Sequence, residues 1–193
     1  MTPSHSSFLG RKPPHVSANH QYGTAFELQR IGNHYRQVTL VRFHGRGNGG
    51  VFPKAGLVAG INGALFGTTY VGGIYGDGIA YELQPSGTGY TERTVYDFGQ
   101  GGGPECPLAN LIADASGALF GSTNYGGPAG DGTIFELTPQ RDGFAQTVLH
   151  SFGSSGDGAH PVSAMLAGKD GAFYGTTYVG GESGLGTVFE LSR

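Results

Sequence analysis

Short runs of alternating apolar and polar residues recur along this chain, separated by glycine-rich stretches. Alternation with a period of two marks a strand whose two faces meet different surroundings. Thr133-Ile134-Phe135-Glu136-Leu137 sets Thr, Phe and Leu on one face and Ile and Glu on the other. The same word appears as Gly23-Thr24-Ala25-Phe26-Glu27-Leu28, Gly78-Ile79-Ala80-Tyr81-Glu82-Leu83, Gly132-Thr133-Ile134-Phe135-Glu136-Leu137 and Gly186-Thr187-Val188-Phe189-Glu190-Leu191, at offsets of 55, 54 and 54 residues. Leu65-Phe66-Gly67-Thr68-Thr69 likewise returns as Leu119-Phe120-Gly121-Ser122-Thr123 and Phe173-Tyr174-Gly175-Thr176-Thr177. Pro53, Pro107 and Pro161 mark a third position, and Phe43, Phe98 and Phe152 a fourth. A fixed period of this kind is the signature of a repeat architecture, in which each unit buries its apolar face on the next.

Each unit predicts four short strands. In the third unit these fall at 107–112, opening at the proline, then 119–124, 133–137 and 147–152. Asp114-Ala115-Ser116-Gly117 supplies the chemistry of a tight turn between the first two. The fourth strand carries apolar residues on both faces, Leu149 against Val148 and Phe152, as expected of a sheet sandwiched between sheets. Four strands in about fifty residues is the arithmetic of a propeller blade. The expected fold is therefore all-β, a β-propeller of four-stranded blades with about four blades per chain, some incomplete. A β-solenoid needs shorter rungs, and a sandwich has no reason to repeat in register. The repeats fall near 22–52, 53–106, 107–160 and 161–193, behind an N-terminal extension or degenerate strand over 1–21. The first unit supplies strands three and four, the last strands one to three. Either a ring of four incomplete blades closes within one chain, or a homodimer completes a propeller.

The pattern Leu-Phe-Gly-Thr-Thr-Tyr-x-Gly-Gly-x-x-Gly-x-Gly-x-x-x-Glu-Leu, starting at Leu65, with a later Thr-Val-Leu-His-Ser-Phe at Thr147, resembles the GloVer-type tandem repeat of bacterial choice-of-anchor proteins over roughly residues 22–193. The resemblance implies a propeller-like fold and export to the cell surface on a C-terminal anchor, and it implies no reaction or ligand. Neither a signal peptide over residues 1–20 nor an anchor at the C-terminus is legible, so location is read from the resemblance alone.

Composition narrows the partners. With 38 glycines and 10 prolines among 193 residues the chain would suggest disorder if these were aperiodic, but they recur in register and hydrophobic residues still make up 37%. Net charge is −3 with 13% charged residues, so there is no basic stripe for nucleic acid. No apolar run is long enough to span a bilayer, which argues against a membrane partner. Cys106 is the single cysteine and has no disulfide partner; beside Pro107 it reads as an incidental loop thiol.

Glu27, Glu82, Glu136 and Glu190 occur in every unit, which points to a structural role on the strand surface or between blades, since a reaction centre needs one of each group. The hydroxyl pairs Thr68-Thr69, Ser122-Thr123 and Thr176-Thr177 are read the same way, as ties between adjacent blades. Asp77 and Asp131 are turn aspartates: the third copy, Gly184-Leu185-Gly186, lacks the acid, so a Ca²⁺ site is not repeated. About one sheet spacing, near 10 Å, should separate these two carboxylates, too far for a glycosidase pair. The sequence yields no catalytic set, no metal ligands and no cofactor motif. The loops from strand four to strand one and from strand two to strand three should emerge at one end, gathering His44, Arg46, Tyr70, Asn124, Tyr125, His160 and Tyr178. Such a face suits a glycan or protein ligand. The expected function is a non-catalytic repeat scaffold or binding domain. The alternative is a carbohydrate-active lyase or hydrolase with His44 or His160 as base.

Overall fold

A computed structural model describes residues 22–87, 89–154 and 156–192. The segment read above as an N-terminal extension or degenerate strand lies outside the described residues. The fold is all-β, built of antiparallel sheets that follow one another along the chain. The first sheet is a hairpin of β1 (Thr24–Ile31) and β2 (His34–Arg42). The second unit holds β3 (Gly50–Val51), β4 (Val58–Ala59), β5 (Leu65–Thr69), β6 (Val71–Gly72), β7 (Ile79–Ser86) and β8 (Gly89–Asp97): a four-stranded sheet in the order β4-β5-β7-β8, here called the second sheet, and beside it the two-stranded pair of β3 and β6. The third repeats it with β9 (Pro104–Pro107), β10 (Ile112–Ala113), β11 (Leu119–Gly126), β12 (Thr133–Gln140) and β13 (Gly143–Ser151). In the fourth, β14 (Gly158–Pro161) and β15 (Leu166–Ala167) pair with β16 (Phe173–Gly180), whose other edge takes β17 (Val188–Leu191).

One expectation needs correcting. The first strand of each unit does not open at the proline and run on. It is split: β9 ends at Pro107, β10 begins at Ile112, and the two pair with opposite ends of β11. The stretch between Pro107 and Ile112 makes the break, and the residue before each proline adds a second, local departure. Phe52, Cys106 and His160 sit at φ 58, 57 and 56°, in the left-handed region. For a residue with a Cβ this costs roughly 1–2 kcal/mol, and it turns that residue's own N–H away from the ladder, which resumes at Pro107 and Pro161. The freed N–H groups are used elsewhere. Phe52 donates to the Tyr22 carbonyl (3.0 Å), Cys106 to that of Asp77 (2.8 Å) and His160 to that of Asp131 (2.8 Å). Each bond crosses from one sheet to the one before it, and each offsets part of the strain. At the same junction Gly132, held at φ +96°, meets Pro161: a Cβ there would lie 2.8 Å from the proline Cδ.

Three hydrophobic clusters fill the three junctions between consecutive sheets. Ala25 and Phe43 of the first sheet meet Ile79, Tyr81 and Leu83 of the second. Phe66, Ala80, Val95 and Phe98 meet Leu111, Leu119, Phe135 and Leu137 of the third. Phe120, Ile134 and Phe152 meet Met165 and Phe173 of the fourth. None of these clusters joins the first sheet to the fourth. One aromatic pair recurs in register: Phe43–Tyr81, Phe98–Phe135 and Phe152–Phe189, with ring centroids 5.0, 5.1 and 5.4 Å apart. Tilted contacts of this kind add about 0.5–1.5 kcal/mol each beyond area burial.

The alternation along the third strand survives in three dimensions. Phe135 and Leu137 face the preceding sheet, Ile134 the following one. The fourth strand departs from its expectation. The register against β12 shifts between Ile134 and Phe135, leaving Leu149 as the extra residue of a bulge. Leu149 and Phe152 then enter the same junction while Val148 is exposed. The shift recurs at Ala25/Phe26 and Ala80/Tyr81.

Two of the repeated polar positions find partners within their own sheet; ties between blades were expected of the hydroxyls, and a place on the strand surface or between blades of the glutamates. Thr123 Oγ1 donates to the Tyr125 carbonyl (2.8 Å) and shares a hydrogen bond with Thr133 (2.8 Å). Thr177 does the same with Val179 and Thr187, and Thr69 accepts from the Ile79 N–H. Glu82, though buried, is met inside its own sheet by Arg93 (2.6 Å) and Gln84. Glu27 pairs with Gln29, and Glu190 accepts from Ser192. The glycine of the second-strand word has a steric reason. Gly67, Gly121 and Gly175 stand opposite Tyr81, Phe135 and Phe189, and a Cβ on Gly121 would lie 2.5 Å from the Phe135 ring.

Candidate functional site

The seven loop-end residues singled out from the sequence divide among three junctions. Four meet at the third. The end of β11 delivers Asn124 and Tyr125, β14 delivers His160 and β16 delivers Tyr178; with Val162 and Val179 they line an open cavity of about 440 Å³. His160 is fixed from two sides: its backbone by the bond to Asp131, its ring by Nδ1–H, which donates to the Asn124 carbonyl at 2.8 Å. Its Nε2 lies 3.9 Å from the Asp131 carboxylate. Tyr125 packs edge-on against this ring at 5.1 Å. Tyr125 and Tyr178 are exposed, so their aromatic faces are open to solvent. Asn124 is buried, and its side-chain oxygen has no hydrogen-bond partner in the protein. Leaving such an acceptor unmet costs roughly 1–3 kcal/mol. A donor entering the cavity beside two tyrosine faces is the chemistry this arrangement can satisfy.

Tyr70 stands at the second junction, where Asn124 stands at the third. Lys54 Nζ lies 5.6 Å from its ring, and its hydroxyl shares a hydrogen bond with the Cys106 thiol. The thiol is pushed up to about 12, first by burial and then by the charges of Asp77 and Glu105. It is a poor nucleophile at neutral pH. Burial also raises Asp77, and burial followed by the Asp77 charge raises Glu105. Asp77 and Asp131 are thus more than turn residues, since their carbonyls receive the bonds that join one sheet to the next. His44 and Arg46 line a separate cavity of about 190 Å³ with Glu92 at the first junction.

Sequence reasoning missed the valines of the third cavity, and it missed Lys54. It also missed that Phe52, Cys106 and His160 occupy one repeated position. The signal was present, because each directly precedes a repeat proline. Among the described residues no group of three or more His, Cys, Asp or Glu is placed to hold a metal ion. No helix among them is long and apolar enough to cross a membrane.

A family model described as the Gloeobacter/Verrucomicrobia repeat matches residues 14–193. A comparison with curated proteins finds no match.

Proposed function

Because the chain belongs to the Gloeobacter/Verrucomicrobia repeat family, we propose that it is a non-catalytic binding scaffold whose stacked sheets are blades of a β-propeller-type array. Its ligand, on this reading, is a glycan held at the third junction. The observation that carries the proposal is the unpartnered Asn124 side-chain oxygen beside the exposed Tyr125 and Tyr178 in one cavity. A sugar brings what these residues lack: hydroxyl donors for the buried oxygen, and C–H faces that pack on an aromatic plane. The first and second junctions offer no such combination, since their loop-end positions carry different side chains. The repeated framework with non-repeated residues at one end suits a scaffold that presents a single specialised site.

A glycan array on the full chain, followed by calorimetry on the strongest hit, tests this reading. Tyr178→Ala and Asn124→Leu should each weaken that hit at least about tenfold, the loss of roughly 1.4 kcal/mol of binding. Binding that ignores both substitutions, or no glycan retained at all, contradicts it. A retained glycan that is cleaved, with cleavage lost in His160→Ala, would replace the binding reading by that of a carbohydrate-active enzyme.

A further inference from the structure

Every internal junction buries the same set of positions, and the two end sheets leave those positions uncovered. On the side each sheet turns to its predecessor, the second sheet offers Tyr81, Leu83 and Tyr90, and the third Phe135, Leu137 and Phe144. All six pack into a junction core. Their counterparts in the first sheet are Phe26, Leu28 and Tyr35, which are 48%, 57% and 65% exposed. On the side turned to the successor, Val58, Phe66 and Ala80 of the second sheet, and Ile112, Phe120 and Ile134 of the third, pack onto the following sheet. The fourth sheet presents Leu166, Tyr174 and Val188 there, and Val188 is 81% exposed. The two uncovered faces are thus the two halves of a junction the molecule already forms three times.

Charge adds direction to this fit. Residues 22–52 carry four arginines against one glutamate, whereas residues 161–192 carry two glutamates and one aspartate against one lysine. The internal register then picks out a specific pair. At the second junction Glu82 and Pro139 line the same groove across the two sheets. Glu190 holds the place of Glu82 in the fourth sheet, and Arg30 that of Pro139 in the first. Both are exposed.

We propose that a second copy of this chain stacks head to tail on the first, the outward face of its first sheet covering the outward face of the fourth, with Arg30 of one copy opposite Glu190 of the other. The inference needs only the equivalence of the junctions and is independent of any ligand. Such a contact is heterologous, so it closes into a ring or continues as a stack according to the rotation it imposes.

Sedimentation velocity over a concentration series of the full chain decides the matter. The expected result is monomer on dilution and a larger species at high concentration. Arg30→Glu and Glu190→Arg should each shift the series toward monomer, at least about tenfold in concentration, and the double reversal should restore it. Both residues are exposed, so the variants keep their fold; Val188→Lys, on the same face, should also give monomer. A monomer throughout overturns the proposal. So does association that the single reversals leave unchanged, or that the double reversal fails to rescue.

Discussion

Glu105 shows how a single residue reports on its junction. It belongs to the third sheet, yet the charge that acts on it is that of Asp77 in the second unit, and burial first and then that charge raise its carboxyl. A carboxyl raised in the folded state binds its proton more tightly there than in the unfolded chain. Folding is therefore favoured at low pH, and stability falls as pH climbs from the ordinary carboxylate range through the raised value. Glu105→Gln removes the titration. Its melting temperature should exceed that of the parent near pH 7, with the difference vanishing at about pH 3, where both states of the parent are protonated. A difference that is unchanged across this range would mean that the carboxylate is not held against its preference. Loop connectivity places Glu105 at the end where the variable residues gather, but its pairing with Asp77 was not legible, because Glu105 has no counterpart in the other units and lies well beyond Asp77 in the chain. Cys106 was legible only in part. Its inertness was expected, but from its loop context, whereas the structure supplies burial and two carboxylates as the cause.

At the level of the element, the long third-to-fourth hairpins were readable from alternation and from the repeated Glu-Leu word. They run slightly further than the pattern suggested, from Thr133–Gln140 into Gly143–Ser151. The split first strand was not readable. The break falls between Pro107 and Ile112, where Leu108, Ala109 and Leu111 read as a continuing strand; nor is the left-handed residue before the proline legible, since Phe, Cys and His share no chemistry that favours that region. The second strand conceals a similar lesson. Gly121 looks like one more flexible glycine, but its neighbours leave no room for a side chain. Gly121→Ala forces a methyl group against the Phe135 ring and Leu111, and overpacking of this sort costs about 1–3 kcal/mol. Urea denaturation should show that loss. Gly89→Ala, where a Cβ meets nothing within 4 Å, should change stability by less than about 0.5 kcal/mol. Equal costs at the two positions would deny that the aromatic ring occupies the space over the second strand.

At the scale of the whole molecule, the repeat period predicted that each unit would hide its apolar faces on the next, and the three junction cores take that form. Closure was not legible. Whether the first and last units meet depends on the angle between successive sheets, a quantity that no residue pattern encodes. The candidate site was half legible: loop connectivity placed Asn124, Tyr125, His160 and Tyr178 at one end, but the junction that groups them and leaves His44, Arg46 and Tyr70 elsewhere is a property of stacking. The stacking itself is what everything else rests on. Nuclear Overhauser spectra of a sample with labelled phenylalanine rings probe it directly, since Phe98, just after β8, and Phe135 of β12 belong to different units and their centroids are 5.1 Å apart. Cross-peaks between these rings, and between Phe152 and Phe189, are the predicted result. Intact hairpins with neither cross-peak would contradict it.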